Sequence, residues 1–298
     1  MSSAQPNSSY RPELSNAGLR PSHPVSVVNE RNERVEKFVP GEFPLTLKVD
    51  GREIVTLMTL GNEPEALTLG YIRNQKLFED IHDIKSIHVD WDREQVEVTT
   101  HHGRGITDWE EKLSRKIVTS GCGQGTVFSC TIGKLYDVHL ATPSLKQSQI
   151  YQIIRTVNQH NEVYRSAGAV HGCGLCHGTE LLTHVEDVGR HNAADAISGM
   201  MWLDNISGDD KIFYTTGRLT SEIVMKAAFM GIPALLSRSG VTQMGQELAE
   251  DVGMTLIARA KGSHFLVYNG AENIEFDAIP EHRTARPLSK GDRDLDNN

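Results

Sequence analysis

Two sets of residues in this chain could do chemistry: one thiol in a glycine-rich segment, and several basic, glycine-bearing segments further on. Cys122 lies in Thr119-Ser-Gly-Cys-Gly-Gln-Gly125. Three glycines leave the backbone free to turn N–H groups toward the sulfur, and such a nest of amides stabilises a thiolate or persulfide anion. Arg115 and Lys116, just upstream, would lower the thiol pKa further. No bulky neighbour in sequence shields the sulfur, as a carrier that meets a donor protein requires. The competing reading is a linker with an incidental cysteine. Cys130, in the more apolar Val127-Phe128-Ser129-Cys130, reads as a buried structural thiol.

The other thiols form Cys173-Gly-Leu-Cys176, with His171, His177 and His184 nearby. A redox dithiol, a metal site and a purely structural pair all fit that spacing. A structural zinc normally shows a second ligand pair at a diagnostic distance, and none is present, so no metal is assigned. Glu186-Asp187 could act as an acid–base pair, but adjacent carboxylates at a strand end more often form a solvated face or a helix cap. No G-x-S-x-G elbow occurs, so a serine-hydrolase triad has no support.

The basic segments are Asp187-Val-Gly-Arg-His191, Thr216-Gly-Arg-Leu-Thr220, Arg238-Ser-Gly-Val-Thr242 and Lys261-Gly-Ser-His264. Each holds a glycine and a basic residue, and most hold a hydroxyl. They follow predicted strands, and the first three open into predicted helices, whose N-termini favour anions. If those strands are parallel, the four segments share one edge of the sheet and form a pocket for phosphate or pyrophosphate. Neither G-x-x-x-x-G-K-[ST] nor a G-x-G-x-x-G after a strand is present, which argues against a nucleotide hydrolase or a dehydrogenase.

The elements that must position these groups fall into two regions. Glu42–Thr59 alternates apolar and polar residues around Asp50-Gly51, a hairpin signal. A helix is expected from Pro64 to Leu77 and strands at Ile84–Asp90 and Gln95–Thr100, giving a small α+β unit over residues 33–115. Residues 116–146 form a linker with the reactive-cysteine loop. From 147 to 279 strands and helices alternate, implying a largely parallel sheet covered by helices. Helices are expected near 148–159, 190–203, 221–230 and 242–251, with strands at 180–186, 211–215, 234–237, 254–260 and 265–268. Residues 1–32 and 280–298 lack apolar periodicity and read as mobile tails. The fold class is therefore α/β.

Composition bounds the remainder. In 298 residues, 38% are hydrophobic and 23% charged, ordinary for a globular protein. A net charge of −9 argues against a nucleic-acid partner. No apolar run reaches the roughly 18 residues of a membrane span. The start, MSSAQPNSSYRPELSNAG, lacks a signal-peptide layout. Four cysteines do not make a disulfide scaffold, and a reducing, cytoplasmic location is expected.

Several segments together resemble the FdhD/NarQ family, the sulfurtransferase accessory proteins of formate dehydrogenase. They are EFPLTLKVDGREIVTLM, ALTLGYIRNQ, SGCG, GAVH, EDVGRHNAADAISG, TGRLTSEIVMKAAFMGIPALLSRS and ELAEDVGMTLIARAKGSHFLVY, running from Glu42 to Tyr268. The resemblance implies a cytidine-deaminase-like three-layer α/β second domain without deaminase function. It implies a sulfurtransferase that takes sulfur from a cysteine desulfurase as a Cys122 persulfide. The sulfur would pass to the molybdenum bis-guanine-dinucleotide cofactor destined for formate dehydrogenase or a related molybdoenzyme. The cofactor segment falls on Arg259, Ala260, Lys261, Gly262, Ser263 and His264, with Arg190, Arg218 and Arg238 as further candidates. A homodimer would be usual for the family.

The chain departs from the family pattern in three places. Gly125 stands where many members have a second cysteine, and Gly172-Cys-Gly-Leu-Cys176 replaces small residues. His264 stands where an arginine is usual, and a neutral histidine carries no charge toward a phosphate. A cofactor chaperone without sulfur transfer is the alternative, and a metal-dependent hydrolase on His171, Cys173 and Cys176 is a third.

Overall fold

The computed structural model describes residues 10–106 and 133–280, together with two short strands at 117–118 and 125–126. In chain order the first half holds β1 (Glu13–Leu14), β2 (Ser22–Val28), β3 (Arg34–Pro40), β4 (Phe43–Val49), β5 (Arg52–Thr59), α1 (Pro64–Asn74), β6 (Ile84–Asp90) and β7 (Gln95–Thr100). Five of these strands form one sheet in the order β1-β6-β7-β4-β5. Strict alternation buries Leu45, Leu47 and Val49 of β4 while Thr46 and Lys48 stay half-buried, the pattern of a sheet with one face on a core. Asp50 and Gly51 both adopt positive φ, 45° and 79°, as a two-residue hairpin turn requires.

Residues 10–32, expected to be a tail, include two of these strands. Here polar bonds replace apolar periodicity. Ser15 Oγ and the Ala17 N–H both donate to Glu65 Oε1, and Trp91 Nε1 donates to the Ala17 carbonyl. β2 and β3 pair as a ribbon that leaves Val27, Val28, Phe38 and Val39 exposed, so no buried face imprints a period on the sequence.

β8 (Ile117–Val118) and β9 (Gly125–Thr126) pair antiparallel, with Val118 opposite Gly125. Arg115, Lys116, Cys122 and Cys130 lie outside the described residues.

The second half runs β10 (Leu145–Lys146), α2 (Gln147–His160), α3 (Glu162–Ser166), β11 (His171–His177), β12 (Glu180–Asp187), α4 (Arg190–Leu203), β13 (Lys211–Thr215), α5 (Ser221–Phe229), β14 (Ala234–Ser237), α6 (Gln243–Asp251), β15 (Thr255–Lys261), β16 (His264–Asn269) and β17 (Ile274–Glu275). Six strands make a sheet in the order β12-β11-β13-β14-β15-β16. α2 covers one face through Ile150, Ile153, Ile154 and Val157, which pack with Tyr214, Leu236 and Ile257. The opposite face meets α4, α5 and α6. The three α/β layers are as expected, but the sheet is mixed rather than largely parallel: β11 and β16 run antiparallel to their neighbours, and only β13, β14 and β15 pair in parallel.

β11 went unrecognised in the sequence. His-Gly-Cys-Gly-Leu-Cys-His offers no aliphatic alternation, and as an inner strand it is buried on both faces.

The two sheets share a single apolar cluster, joined through α1 against α4. A Cβ on Gly70 would come within 1.6 Å of the Asp195 carbonyl, and one on Gly199 within 1.9 Å of the Ala66 carbonyl. Backbone therefore meets backbone at this crossing, closer than side chains normally allow. Beside it lies a buried polar cluster: Lys226 Nζ donates to both Asp195 oxygens at 2.5 and 2.6 Å, and Asn74 Nδ2 donates to Oδ1 at 2.7 Å.

Candidate functional site

The hydrogen-bond pattern settles strand direction. β13, β14 and β15 are parallel, and β12 points the same way because both it and β13 are antiparallel to β11. The carboxyl ends of four strands thus share one edge, and the four basic segments are gathered there. Those after β13 and β14 are stitched together: Leu219 N–H donates to the Gly240 carbonyl and Thr242 N–H to the Leu219 carbonyl, 2.9 and 3.0 Å.

The first segment anchors the edge to the other sheet. Asp187 accepts from Thr59 Oγ1 (2.6 Å), the Leu60 N–H (2.9 Å), the Gly189 N–H (2.8 Å) and Asn192 Nδ2 (2.8 Å). Burial pushes its pKa up while these hydrogen bonds oppose the rise. Glu186 accepts from the Val163 and Tyr164 N–H groups and caps α3. Both carboxylates are committed to structure, so the helix-cap alternative holds for Glu186 and neither oxygen pair is free for proton transfer.

Arg190 and His191 follow, opening α4, and both are buried, at 6% and 5% exposure. The stem of Arg190 lies across Gly217, where a Cβ would fall 2.8 Å from its Cδ. Its Nε and Nη2 have no hydrogen-bond partner. His191 Nε2 stands 3.1 Å from Glu222 Oε2, within ion-pair reach but out of hydrogen-bond alignment. Burial holds the His191 pKa below its usual value against the pull of Glu222. His171, at the start of β11, approaches Thr216 Oγ1 at 3.5 Å. Its pKa is lowered by burial first and then by Arg190, His191 and Arg218. Basic groups therefore gather around His171 at this edge.

The segment Arg259–His264 extends past this edge. Arg259 adopts a φ of 55° where the β15–β16 register shifts between Ala258 and Lys261. Its N–H donates to the Ser239 carbonyl at 2.8 Å, and its guanidinium lies beside Gly240. The bulge turns Ala260 into the apolar cluster with Ile257, so that residue offers a ligand only backbone. Lys261, Gly262, Ser263 and His264 are exposed at the hairpin end. Arg218 is exposed, and Arg238 lies over the Tyr164 ring at 5.6 Å.

Cys173 and Cys176 do not converge. Cys173 packs in the cluster under α4 and Cys176 in the cluster under α2, on opposite faces of β11. Both are free thiols, and burial pushes each up to about 12. The set His171, Cys173 and Cys176 is therefore not a metal site, and no group of three or more His, Cys, Asp or Glu among the described residues is placed to hold a metal ion. No described helix is long and apolar enough to cross a membrane.

Sequence reasoning treated Arg190 as secondary and placed Thr220 in a basic segment at a helix start; its buried hydroxyl makes no capping bond and lacks a partner. The available signal was the position of each at the opening of a helix.

Comparison with known proteins adds the following. The model of the FdhD/NarQ family matches residues 40–275. A protein of Bacillus subtilis named sulfur carrier protein FdhD is 29% identical over 246 residues, covering 81% of this chain and 92% of that protein. One of Listeria innocua with the same name is 28% identical over 249 residues, covering 81% and 93%. The crystal structure of a chain from Desulfotalea psychrophila, designated a formate dehydrogenase accessory protein, superposes with a TM-score of 0.67 at 26% identity, covering 85% of this chain and 98% of that one.

Proposed function

Because the chain belongs to the FdhD/NarQ family, we propose that it carries sulfur on Cys122 and holds a phosphate-bearing cofactor at the carboxyl edge of its six-stranded sheet. The sulfur would come from a cysteine desulfurase in the cytoplasm. The acceptor would be the molybdenum bis-guanine-dinucleotide cofactor of a formate dehydrogenase, which gives the protein the role of a sulfurtransferase. The observation that carries the reading is the gathering of four basic, glycine-bearing segments on one edge, with the nearby carboxylates Asp187 and Glu186 consumed by their own hydrogen bonds. Relatives named for sulfur carriage support the remainder.

The chemistry asks little of the protein beyond placement. Cys122 thiolate attacks the terminal sulfur of the donor's persulfide. A new S–S bond forms on Cys122 as the donor's S–S bond breaks, and the donor cysteine leaves as thiolate. Release of that sulfur as sulfide takes up two electrons, which a thiol reductant would supply, and restores the Cys122 thiol. Arg259, Lys261, Ser263 and His264, with the Gly262 amide, offer charge and donors to a diphosphate. Ala260 contributes only its backbone.

Incubation with a cysteine desulfurase and cysteine, followed by peptide mass spectrometry, tests the carrier role. One added sulfur on the Cys122 peptide is expected. Its absence with a desulfurase shown to bind would sink the carrier reading and favour a chaperone that only holds the cofactor.

A further inference from the structure

Among the described residues, five buried polar side-chain atoms lack hydrogen-bond partners, and three of them lie where α4 and α5 begin: Arg190 Nε and Nη2 and Thr220 Oγ1; His191 Nε2, a fourth, already faces Glu222 Oε2 at 3.1 Å. Native folds rarely leave such groups unsatisfied, and a buried cation without a partner is the costliest case. Arg190 is 94% buried and forms no ion pair with a described carboxylate. The fold omits a Cβ at Gly217 so that its stem can lie there.

The pattern of unpaired atoms specifies the missing partner. Nε and Nη2 occupy one edge of the planar guanidinium, the edge that grips two oxygens side-on. Thr220 is the N-cap residue of α5, yet its hydroxyl makes no capping bond. Gly189, which caps α4, has no side chain to satisfy the first amides of that helix. Two helix N-termini of 14 and 9 residues thus open beside one unpaired guanidinium. The basic groups Arg218 and His171 border the same space. These donors outnumber the two oxygens of a carboxylate and suit a three-oxygen dianion.

We propose that the Arg190 pocket is a phosphoryl-binding subsite, separate from the Arg259–His264 hairpin and lined by Arg190, His171, Thr216, Gly217 and Thr220. Arg190 lies over Gly217 at the end of β13, whereas the exposed turn Lys261–His264 extends past the end of β15, two strands along the edge, and the Arg259 guanidinium reaches back to Gly240 after β14. The subsite rests on reading this edge as an anion site, and is independent of the sulfur chemistry.

Isothermal titration of the full chain with pyrophosphate, guanosine diphosphate and succinate tests it. The wild type should bind pyrophosphate. Arg190→Lys keeps the charge but loses the fork and should weaken binding about tenfold, and Arg190→Gln by about a hundredfold. Lys85→Ala, an exposed charge on β6 of the other sheet, should leave pyrophosphate affinity within about threefold. Loss of guanosine diphosphate binding in both Arg190→Gln and Lys261→Ala identifies a nucleotide as the source of the phosphoryl group. Loss in the Arg190 variants alone identifies free phosphate or pyrophosphate. Unchanged affinity in both Arg190 variants, or equal affinity for succinate, overturns the subsite. Should the variants fail to fold, the wild-type thermal midpoint decides: a rise with pyrophosphate and not with succinate supports the proposal, and no rise overturns it. A chain that still gains sulfur on Cys122 but binds pyrophosphate equally well as Arg190→Gln would keep the sulfur reading and lose this one.

Discussion

Cys173 and Cys176 stand on opposite faces of one strand, with Cys173 Sγ 3.3 Å from Thr215 Oγ1 and Cys176 packed among Ile212, Tyr214 and the residues of α2. Residues three apart in an extended chain point to opposite sides. The pair therefore cannot close a disulfide or share a metal ion, whatever its spacing suggests.

Both thiols, pushed up to about 12 by burial, should resist a thiol-specific reagent in the native protein and react after denaturation. Cys176→Ser should cost about 1–3 kcal/mol by burying a hydroxyl without a partner. Cys173→Ser should cost less, because Thr215 Oγ1 is already in reach. Sulfur loading on Cys122 should survive both changes. Urea unfolding and persulfide mapping of the two variants check this, and loading lost in either would assign that thiol a part in the relay.

Lys226→Ala strands the Asp195 carboxylate, which is fully buried, and should cost about 3–5 kcal/mol. Replacing both residues with leucine should recover much of that loss, since a buried ion pair holds little net advantage over packed hydrocarbon. Chemical denaturation of the single and double variants measures the difference.

Gly199→Ala places a methyl group where the Ala66 carbonyl already sits, and Gly70→Ala does the same against Asp195. Overpacking of this kind costs about 1–3 kcal/mol where neighbours can yield, and more where the obstacle is backbone. Each variant should melt well below the wild type by calorimetry, whereas Gly103→Ala, at an open position, should lose only the roughly 1–2 kcal/mol due to its positive φ.

His184 has its pKa lowered to about 4 by burial and by His160, against about 6.5 in an unfolded chain. The unfolded chain binds the extra proton between those values, so stability is fully present above pH 6.5 and falls as the pH drops toward 4. The loss is about 3 kcal/mol at most. His184→Gln removes the titration, and its stability curve over pH 7 to 4 should be flatter than the wild type's. A parallel curve would locate the acid sensitivity elsewhere.

The sequence made the basic edge legible because apolar strands there alternate with amphipathic helices, and each strand end was marked by a glycine and a basic residue. Three things escaped it. β11 is written in glycine, cysteine and histidine, so the opposed faces of its thiols followed only once it was seen as a strand. The burial of Arg190 depends on Gly217, which lies 27 positions later and folds back over α4's first turn. The order in residues 10–32 depends on polar bonds to Glu65 and Ile84, which leave no periodic trace.

Helix α4 carries all three relationships at once: its first turn supplies Arg190 to the anion edge, Asn192 reaches the Met58 carbonyl of β5, and Gly199 abuts α1. The sequence reads as two modules joined by a linker, yet each half borrows packing and hydrogen bonds from the other and should lose stability if expressed alone. A fragment ending near residue 106 would leave α1 without its partner helix. One beginning near residue 145 would lose the Thr59 and Leu60 bonds to Asp187, and with them the brace behind its own ligand edge.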